Sequence, residues 1–153
     1  MTDDELTQQL RAIDAMFVQV APAAEVVDGR LILKNVGEST LFFSDRPQRV
    51  VGHIHTSQLV SVWDEGENSF EADPPNAVLA FVGQGDALPS DVVVEISDPI
   101  LAGSDLSYAA TVLDGTLPSS AGACSLFIDP FGNPLSPVSV AGMNRRDRRR
   151  DRR

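Results

Sequence analysis

The sequence predicts a mainly β protein, an antiparallel β-sandwich of about eight strands with an N-terminal helix and one short internal helix. Three observations support this fold class. Short apolar runs recur along the chain, turn-forming residues separate most of them, and the repeated crossover helices of a parallel sheet are missing from the pattern. The alternative is a flattened β-barrel. A chain of 153 residues is long enough for one such domain.

The N-terminal segment, residues 1–16, has the pattern of an amphipathic helix. Its apolar residues lie four, three and four positions apart, at Leu6, Leu10, Ile13 and Phe17. This spacing places them on one side of a helix. We therefore expect the helix to pack on the domain, or else on a partner.

Residues 17–131 contain the predicted sandwich domain. Its strands are predicted by the runs EVV, RLILKNV, STLFF, RVVGHI, AVLAFV, DVVVEI, LSYAATVL and CSLFI. Asp28 and Gly29 separate the first two runs and predict a tight hairpin. After the fourth run, Thr56 is a candidate cap for the short helix, on which Leu59 and Trp63 share one side.

The two C-terminal segments differ from the domain in composition. Residues 132–144 are rich in Pro, Gly and Ser, which predicts a flexible linker or extended arm. Residues 145–153 contain seven Arg and two Asp, a formal charge of +5. Because the whole chain carries −10, the other 144 residues carry −15. The protein is thus an acidic body with a basic tail.

Several functional classes find no support in the sequence. It contains neither the nucleophile motif of serine hydrolases nor a phosphate-binding glycine motif, so no catalytic residue and no cofactor is predicted. No apolar run approaches the roughly 18–20 residues of a membrane span. The start of the chain is acidic, unlike a secretion signal, and we expect a soluble, cytoplasmic protein.

The segment FFSDRPQRVVGHIH contains the candidate ligand site, formed by Asp45, Arg46, Arg49 and His53. Two arginines close together in an acidic body create a positive spot that suits a carboxylate or phosphate. The alternative is a structural corner, because Pro47 holds the preceding residue extended and Asp45 can cap the turn.

Two further side chains have reactive chemistry but no predicted site. His53 and His55 would share one face of a strand, yet zinc needs a third and usually a fourth ligand, so no metal centre is predicted. Cys124 alternates with Leu126 and Ile128, which predicts a small buried apolar residue.

The basic tail is the candidate partner-binding segment. Its cations are Arg145, Arg146, Arg148, Arg149, Arg150, Arg152 and Arg153. They suit an acidic protein surface, either on a partner or on the body of another copy. Contact with nucleic acid is the alternative, although the tail has no aromatic residue to stack on bases.

Four motifs resemble those of a known family. F-S-D-R-P-x-R at residues 43–49, G-H-x-x-T at 52–56, P-P-N-A at 74–77 and the final CSLFIDP are similar to a family of small uncharacterised bacterial proteins. The resemblance covers about residues 17–130 and implies no activity. Members often look exported, and the acidic start, the Arg-rich end and His55 are departures from that pattern.

Together these features favour a non-enzymatic binding or assembly module. Its terminal extensions would contact a protein partner or other copies of the chain. One alternative is a small-ligand or anion-binding protein, or an enzyme, that uses the Asp45, Arg46, Arg49 and His53 cluster. Another is nucleic-acid contact through the tail.

Overall fold

The computed structural model describes residues 3–12, 14–45, 49–63, 70–82 and 90–130. In these residues the helices are α1 Asp3–Ala12 and α2 Thr56–Ser61. The strands are β1 Met16–Ala21, β2 Ala23–Val27, β3 Arg30–Lys34, β4 Ser39–Ser44, β5 Val50–His55, β6 Asn76–Phe81, β7 Ser90–Ala102, β8 Asp105–Asp114, β9 Ser120–Ala121 and β10 Cys124–Ile128. The predicted linker 132–144 and the Arg-rich tail lie outside the described residues. No described helix is long and apolar enough to cross a membrane.

All the described strands belong to one antiparallel sheet with the order β5-β4-β1-β10-β6-β7-β8-β3-β2-β9. Strands β1 and β2 pair with β10 and β9, and the ribbon that they form connects the two layers of the sheet. Phe17 pairs with Ile128 and Ala21 with Cys124, and beyond Pro22 the same register continues where Ala24 pairs with Ala121. Since β1 is third and β2 ninth in the sheet, the ribbon turns from one layer into the other at Pro22.

The two layers enclose one core. Tyr108 on β8 donates a hydrogen bond of 2.7 Å to Gln19 Oε1 on β1, so these strands face each other. Ring contacts fill the space between them: the ring centroids of Trp63 and Tyr108 are 5.4 Å apart, and those of Trp63 and Phe70 4.7 Å. The prediction of a mainly β, sandwich-like antiparallel fold is confirmed. The described sheet is open, with β5 and β9 at its edges, and so differs from the flattened barrel.

The structure corrects the predicted number and length of strands. The described strands number ten rather than about eight, because β1 and β9 were not among the predicted runs. The strand predicted from DVVVEI also continues to Ala102. The Asp28-Gly29 hairpin is confirmed, and the φ angles of 51° and 79° at these residues match the type I′ turn that joins such strands.

The N-terminal helix is shorter than predicted. It ends at Ala12, Asp14 adopts a left-handed φ of 49°, and the Ala15 N–H donates to the Leu10 carbonyl at 3.2 Å. This is a Schellman-type end, with aspartate where glycine is usual. Phe17 consequently lies in β1, so its predicted place on the apolar stripe of the helix is wrong. Leu6 and Leu10 are buried in the core, as the apolar stripe predicted.

The second helix begins directly after β5, and Thr56 does not cap it. The His55 N–H instead donates to Gln58 Oε1 at 2.8 Å. Thr56 is the first helical residue, and its hydroxyl donates to the Gly37 carbonyl at 2.6 Å. Leu59 of this helix is fully buried, which fixes α2 against the core.

Candidate functional site

The predicted ligand cluster is only partly brought together. Asp45 and Arg49 face each other at the end of the β4–β5 hairpin, with Asp45 Oδ1 3.5 Å from Arg49 Nε. Their side chains are 79% and 86% exposed, so this is a surface ion pair of the kind that contributes little stability. Arg46 lies outside the described residues.

His53 lies apart from that ion pair. Its position in β5 is four residues from Arg49, about 13 Å along an extended strand. The imidazole is exposed, and its Nδ1 is 2.6 Å from Ser39 Oγ. His53 and His55 are both exposed, as expected for one strand face, and the described residues contain no group of three or more His, Cys, Asp or Glu side chains arranged to hold a metal.

A row of apolar side chains crosses the sheet on the face turned away from the core. We name it the apolar row; its members pair across five adjacent strands and are Leu41, Val18, Phe127, Val78 and Val93. Most of their chain neighbours pack in or against the hydrophobic core, whereas these five do not. Because side chains alternate along a strand, the row must lie on the outer face.

The centre of the apolar row is well shielded and its surroundings are apolar. Val18, Val78 and Val93 are 9%, 6% and 5% exposed, and Leu41 and Phe127 are half-buried. Beside the row, Val20 and Val51 are exposed, while Met16 and Phe43 are half-buried. The central side chains are thus already shielded within the chain, and of the side chains named here only Val20 and Val51 are exposed.

The two ends of the apolar row differ in charge. At the β7 end, Asp91 and Glu95 stand two residues before and after Val93, and Asp114 on β8 is its register partner. We name these three residues the acidic end. At the opposite end, His53 pairs with Leu41. Of the three carboxylates, that of Glu95 lies on an exposed residue, whereas Asp91 is 7% exposed and Asp114 is half-buried.

A separate cleft of about 510 Å³ opens beside the end of α2. It is lined by Val60, Ser61, Trp63, Glu71, Ser97, Asp98 and Pro99. The cleft forms at a β-bulge, since the β7–β8 register shifts between Ser97 and Ile100 and Asp98 has a φ of 52°. Bulges re-aim side chains, and here one places Asp98 at the cleft.

Arg30 holds this bulge in place. Its guanidinium donates to Asp98 Oδ2 at 3.0 Å, to the Asp98 carbonyl at 2.7 Å and to the Ser107 carbonyl at 3.1 Å. Asp98 is thereby fixed as the partner of Arg30. Among the described residues that line the cleft, Glu71 is the carboxylate besides Asp98.

We predict that Arg30→Ala lowers the free energy of unfolding by about 1–3 kcal/mol, because several charge-assisted hydrogen bonds across the bulge are lost. Urea denaturation measures the change. Lys34→Ala is the matched control, since Lys34 forms a single ion pair with Asp105 of 2.9 Å at the surface. Equal and small losses in both variants would show that Arg30 does not fix the bulge.

Neither the apolar row nor the cleft was predicted from the sequence. A signal for the row is present, because runs such as AVLAF and DVVVEI are apolar without alternation, which is typical of strands covered on both faces. The prediction for Cys124 is confirmed: the residue is buried in the core, and burial raises the pKa of its thiol.

Comparison with known proteins gives no indication of function beyond this geometry. No protein-family model, curated protein or solved structure matches the chain. The kinship with the small bacterial proteins that share the F-S-D-R-P-x-R and P-P-N-A motifs stays a prediction.

Proposed function

We propose that the protein is a non-enzymatic assembly module in which the basic tail of one copy contacts the acidic body of another. The observation that carries this proposal is the division of charge, +5 on residues 145–153 and −15 on the rest. Two copies supply both complementary surfaces without a third component. Two acidic bodies alone would repel each other, so the basic tail supplies the attraction that self-association needs.

The charges inside the domain support the proposal. Arg30, Lys34 and Arg49 each form an ion pair with a carboxylate close to them, on Asp98, Asp105 and Asp45 respectively. The net charge of the body stays strongly negative all the same, so a basic segment from another copy would be attracted to it.

Removing Arg145–Arg153 is expected to convert the assembly into monomers while leaving the melting temperature of the domain nearly unchanged. Sedimentation velocity at low and high salt measures this, and salt alone should weaken the intact assembly because exposed charges are screened over about 8–10 Å near physiological ionic strength.

Two control chains make the result specific to charge. Replacing the nine residues with a Gly-Ser segment of equal length should also give monomers, whereas replacing the seven arginines with lysines should preserve assembly. An identical size distribution with and without the tail at low salt would refute the proposal.

The alternatives from the sequence stay predictions. Anion binding at Asp45, Arg46, Arg49 and His53 would appear as phosphate binding that persists in the tail-deleted chain. Nucleic-acid contact would appear as co-purified RNA or DNA that the deletion removes. A cytoplasmic location also stays a prediction.

A further inference from the structure

We propose that two copies of the protein meet at β5, an edge strand of the sheet, and that their β5 strands pair antiparallel around Gly52. This inference rests on the proposed function: the basic tails supply the attraction, and the β5 edges determine where the two bodies come into contact. A two-fold axis at this edge gives each tail an acidic body to contact, and two-fold dimers are the commonest oligomers.

The ladder between β4 and β5 determines which backbone groups of β5 are free. The Thr56 N–H donates to the Glu38 carbonyl at 2.7 Å, which makes these two residues a hydrogen-bonded pair. Hydrogen-bonded and non-hydrogen-bonded pairs alternate along an antiparallel ladder. The even-numbered residues of β5 therefore bond to β4, whereas Val51 and His53 direct their N–H and C=O groups away from it.

This outward edge is open to solvent. Val51 is 68% exposed and His53 is also exposed. In the described part of the chain, no residue hydrogen-bonds to the outward backbone groups of either. His55 has the same orientation, but its N–H already donates to Gln58 Oε1 at 2.8 Å. The free hydrogen-bonding edge thus consists of Val51 and His53.

Strand β5 also lacks the usual protection of a sheet edge. Natural proteins block edges with lysine, proline, bulges or very short strands. The opposite edge strand, β9, is two residues long. The sequence of β5, VVGHIH, contains no lysine, proline or carboxylate, and its ladder with β4 has no bulge. Such an edge is suited to pairing with a strand of another chain.

Charge favours a second copy as the partner. Residues 39–55 contain two Arg and one Asp, a formal charge of +1, so the rest of the −15 body carries −16. Two copies that meet at β5 therefore bring together a part of the body without net negative charge. Residues 131–144 would form a poorer partner strand, because Pro134 and Pro137 lack the N–H group that a ladder needs.

Hydrogen bonding favours one register. With Val51 of each copy opposite His53 of the other, the N–H and C=O groups of both residues are all used. Gly52 then faces Gly52 of the second copy across the two-fold axis, with about 4.5 Å between the Cα atoms. A shift toward His55 meets its occupied N–H, and a shift the other way meets Arg49, which lies outside β5. So few bonds stabilise a dimer weakly, which is why the tails are needed.

Amide hydrogen exchange, measured by NMR, tests the pairing in the unmodified protein. At low salt, the Val51 and His53 amides of the full-length chain should exchange at least about tenfold more slowly than those of the tail-deleted chain, because the partner strand accepts their hydrogen bonds. The Gly52 and Ile54 amides bond to β4 and should be protected in both chains. Equal exchange at Val51 and His53 in the two chains would overturn the inference.

Proline at residue 51 removes one outward N–H. Because this N–H does not bond to β4, an edge strand tolerates proline there. Val51→Pro should raise the dissociation constant of the full-length assembly by about tenfold or more at low salt. Val51→Thr keeps the N–H and the branched shape, so this matched control should stay within about twofold of the original. Circular dichroism verifies that both variants fold.

A second pair of variants avoids proline. Val51→Lys introduces the residue that blocks natural edges and places it near the two-fold axis in both copies. Val27→Lys is the matched control, because Val27 is also an exposed strand valine, at 49%, but lies on β2. Both variants add the same charge to the acidic body, so only Val51→Lys should weaken assembly. Equal dissociation constants would count against pairing at β5.

Isotope-filtered NOEs identify the partner strand. The sample is an equal mixture of ¹³C-labelled and unlabelled full-length chains. NOEs between Gly52 of a labelled chain and Gly52 of an unlabelled chain support the inference. NOEs from Gly52 to residues 131–144 instead would show that the tail segment is the added strand, and would overturn it.

The inference and the proposed function fail separately. If the tail deletion gives monomers while Val51→Pro and Val51→Lys assemble like their controls, the β5 edge is not the contact surface and the function stands. If the tail-deleted chain stays assembled with its Val51 and His53 amides protected, the proposed function fails and the pairing at β5 stands.

Discussion

Gln19→Leu is expected to lower the free energy of unfolding by about 2–4 kcal/mol, although it replaces one buried side chain with another of similar size. Gln19 is 1% exposed and lies between two hydroxyl groups. Its Oε1 accepts from Tyr108 at 2.7 Å, and its Nε2 donates to Thr40 Oγ1 at 3.4 Å. Leucine would leave the Tyr108 hydroxyl without its acceptor and would remove the donor to Thr40.

The hydrogen bonds around Gln19 form one chain with a single direction. Thr56 donates to the Gly37 carbonyl at 2.6 Å, so Thr40 supplies the hydrogen of the 2.9 Å contact between the two threonines. Burial raises the pKa of Tyr108, which keeps its phenol protonated as the first donor. Each hydroxyl therefore donates its single proton in one hydrogen bond.

A double-mutant cycle measured by urea denaturation checks the coupling. Tyr108→Phe removes the hydroxyl that Gln19→Leu leaves without its acceptor. The double variant should thus be more stable than the sum of the single losses predicts, by about 1 kcal/mol or more. Strict additivity would show that Gln19 and Tyr108 act independently.

Gly52→Ala is expected to lower the free energy of unfolding by about 1–3 kcal/mol, because the added methyl group overlaps an aromatic ring. Gly52 pairs with Phe42 across the β4–β5 ladder. A Cβ at residue 52 would lie 2.6 Å from Phe42 Cζ and 2.9 Å from its Cε2. The ring also packs against the core, so moving it disturbs both contacts.

Thermal melts of three variants separate crowding from the general cost of replacing glycine. Gly122→Ala should melt close to the original temperature, since nothing lies within 4 Å of a Cβ added there. Adding Phe42→Leu to Gly52→Ala should recover part of the loss by making room. Equal effects at Gly52 and Gly122 would contradict the crowding account.

Much of the fold follows from local patterns in the chain. The apolar runs predicted most strands, and Asp28-Gly29 predicted its hairpin because two positive φ angles are needed there. The first strand was missed because Phe17 continues the helical spacing of Leu6 and Leu10. Phe17 belongs to a strand because the helix ends before it, and that end depends on Asp14. Aspartate ends helices less often than glycine does.

The candidate site was less accessible to prediction. The segment from Asp45 to His53 stands out by its charges, yet Asp45 and Arg49 lie outside the strands while His53 lies within β5, away from their ion pair. The apolar row is assembled from residues more than 100 positions apart, such as Val18 and Phe127. Only the strand order brings them together, and no local pattern encodes that order.

The ribbon of first and last strands also determines when the protein can fold during its synthesis. Of the described strands, β10 is the last to be made, and it joins β1 to β6 in the sheet. Before it leaves the ribosome, the nascent chain holds two separate sheets, each with an open edge where β10 belongs. Contacts between such distant segments form slowly, and exposed strand edges favour aggregation. The two sheets can therefore join only after Ile128 has left the ribosome.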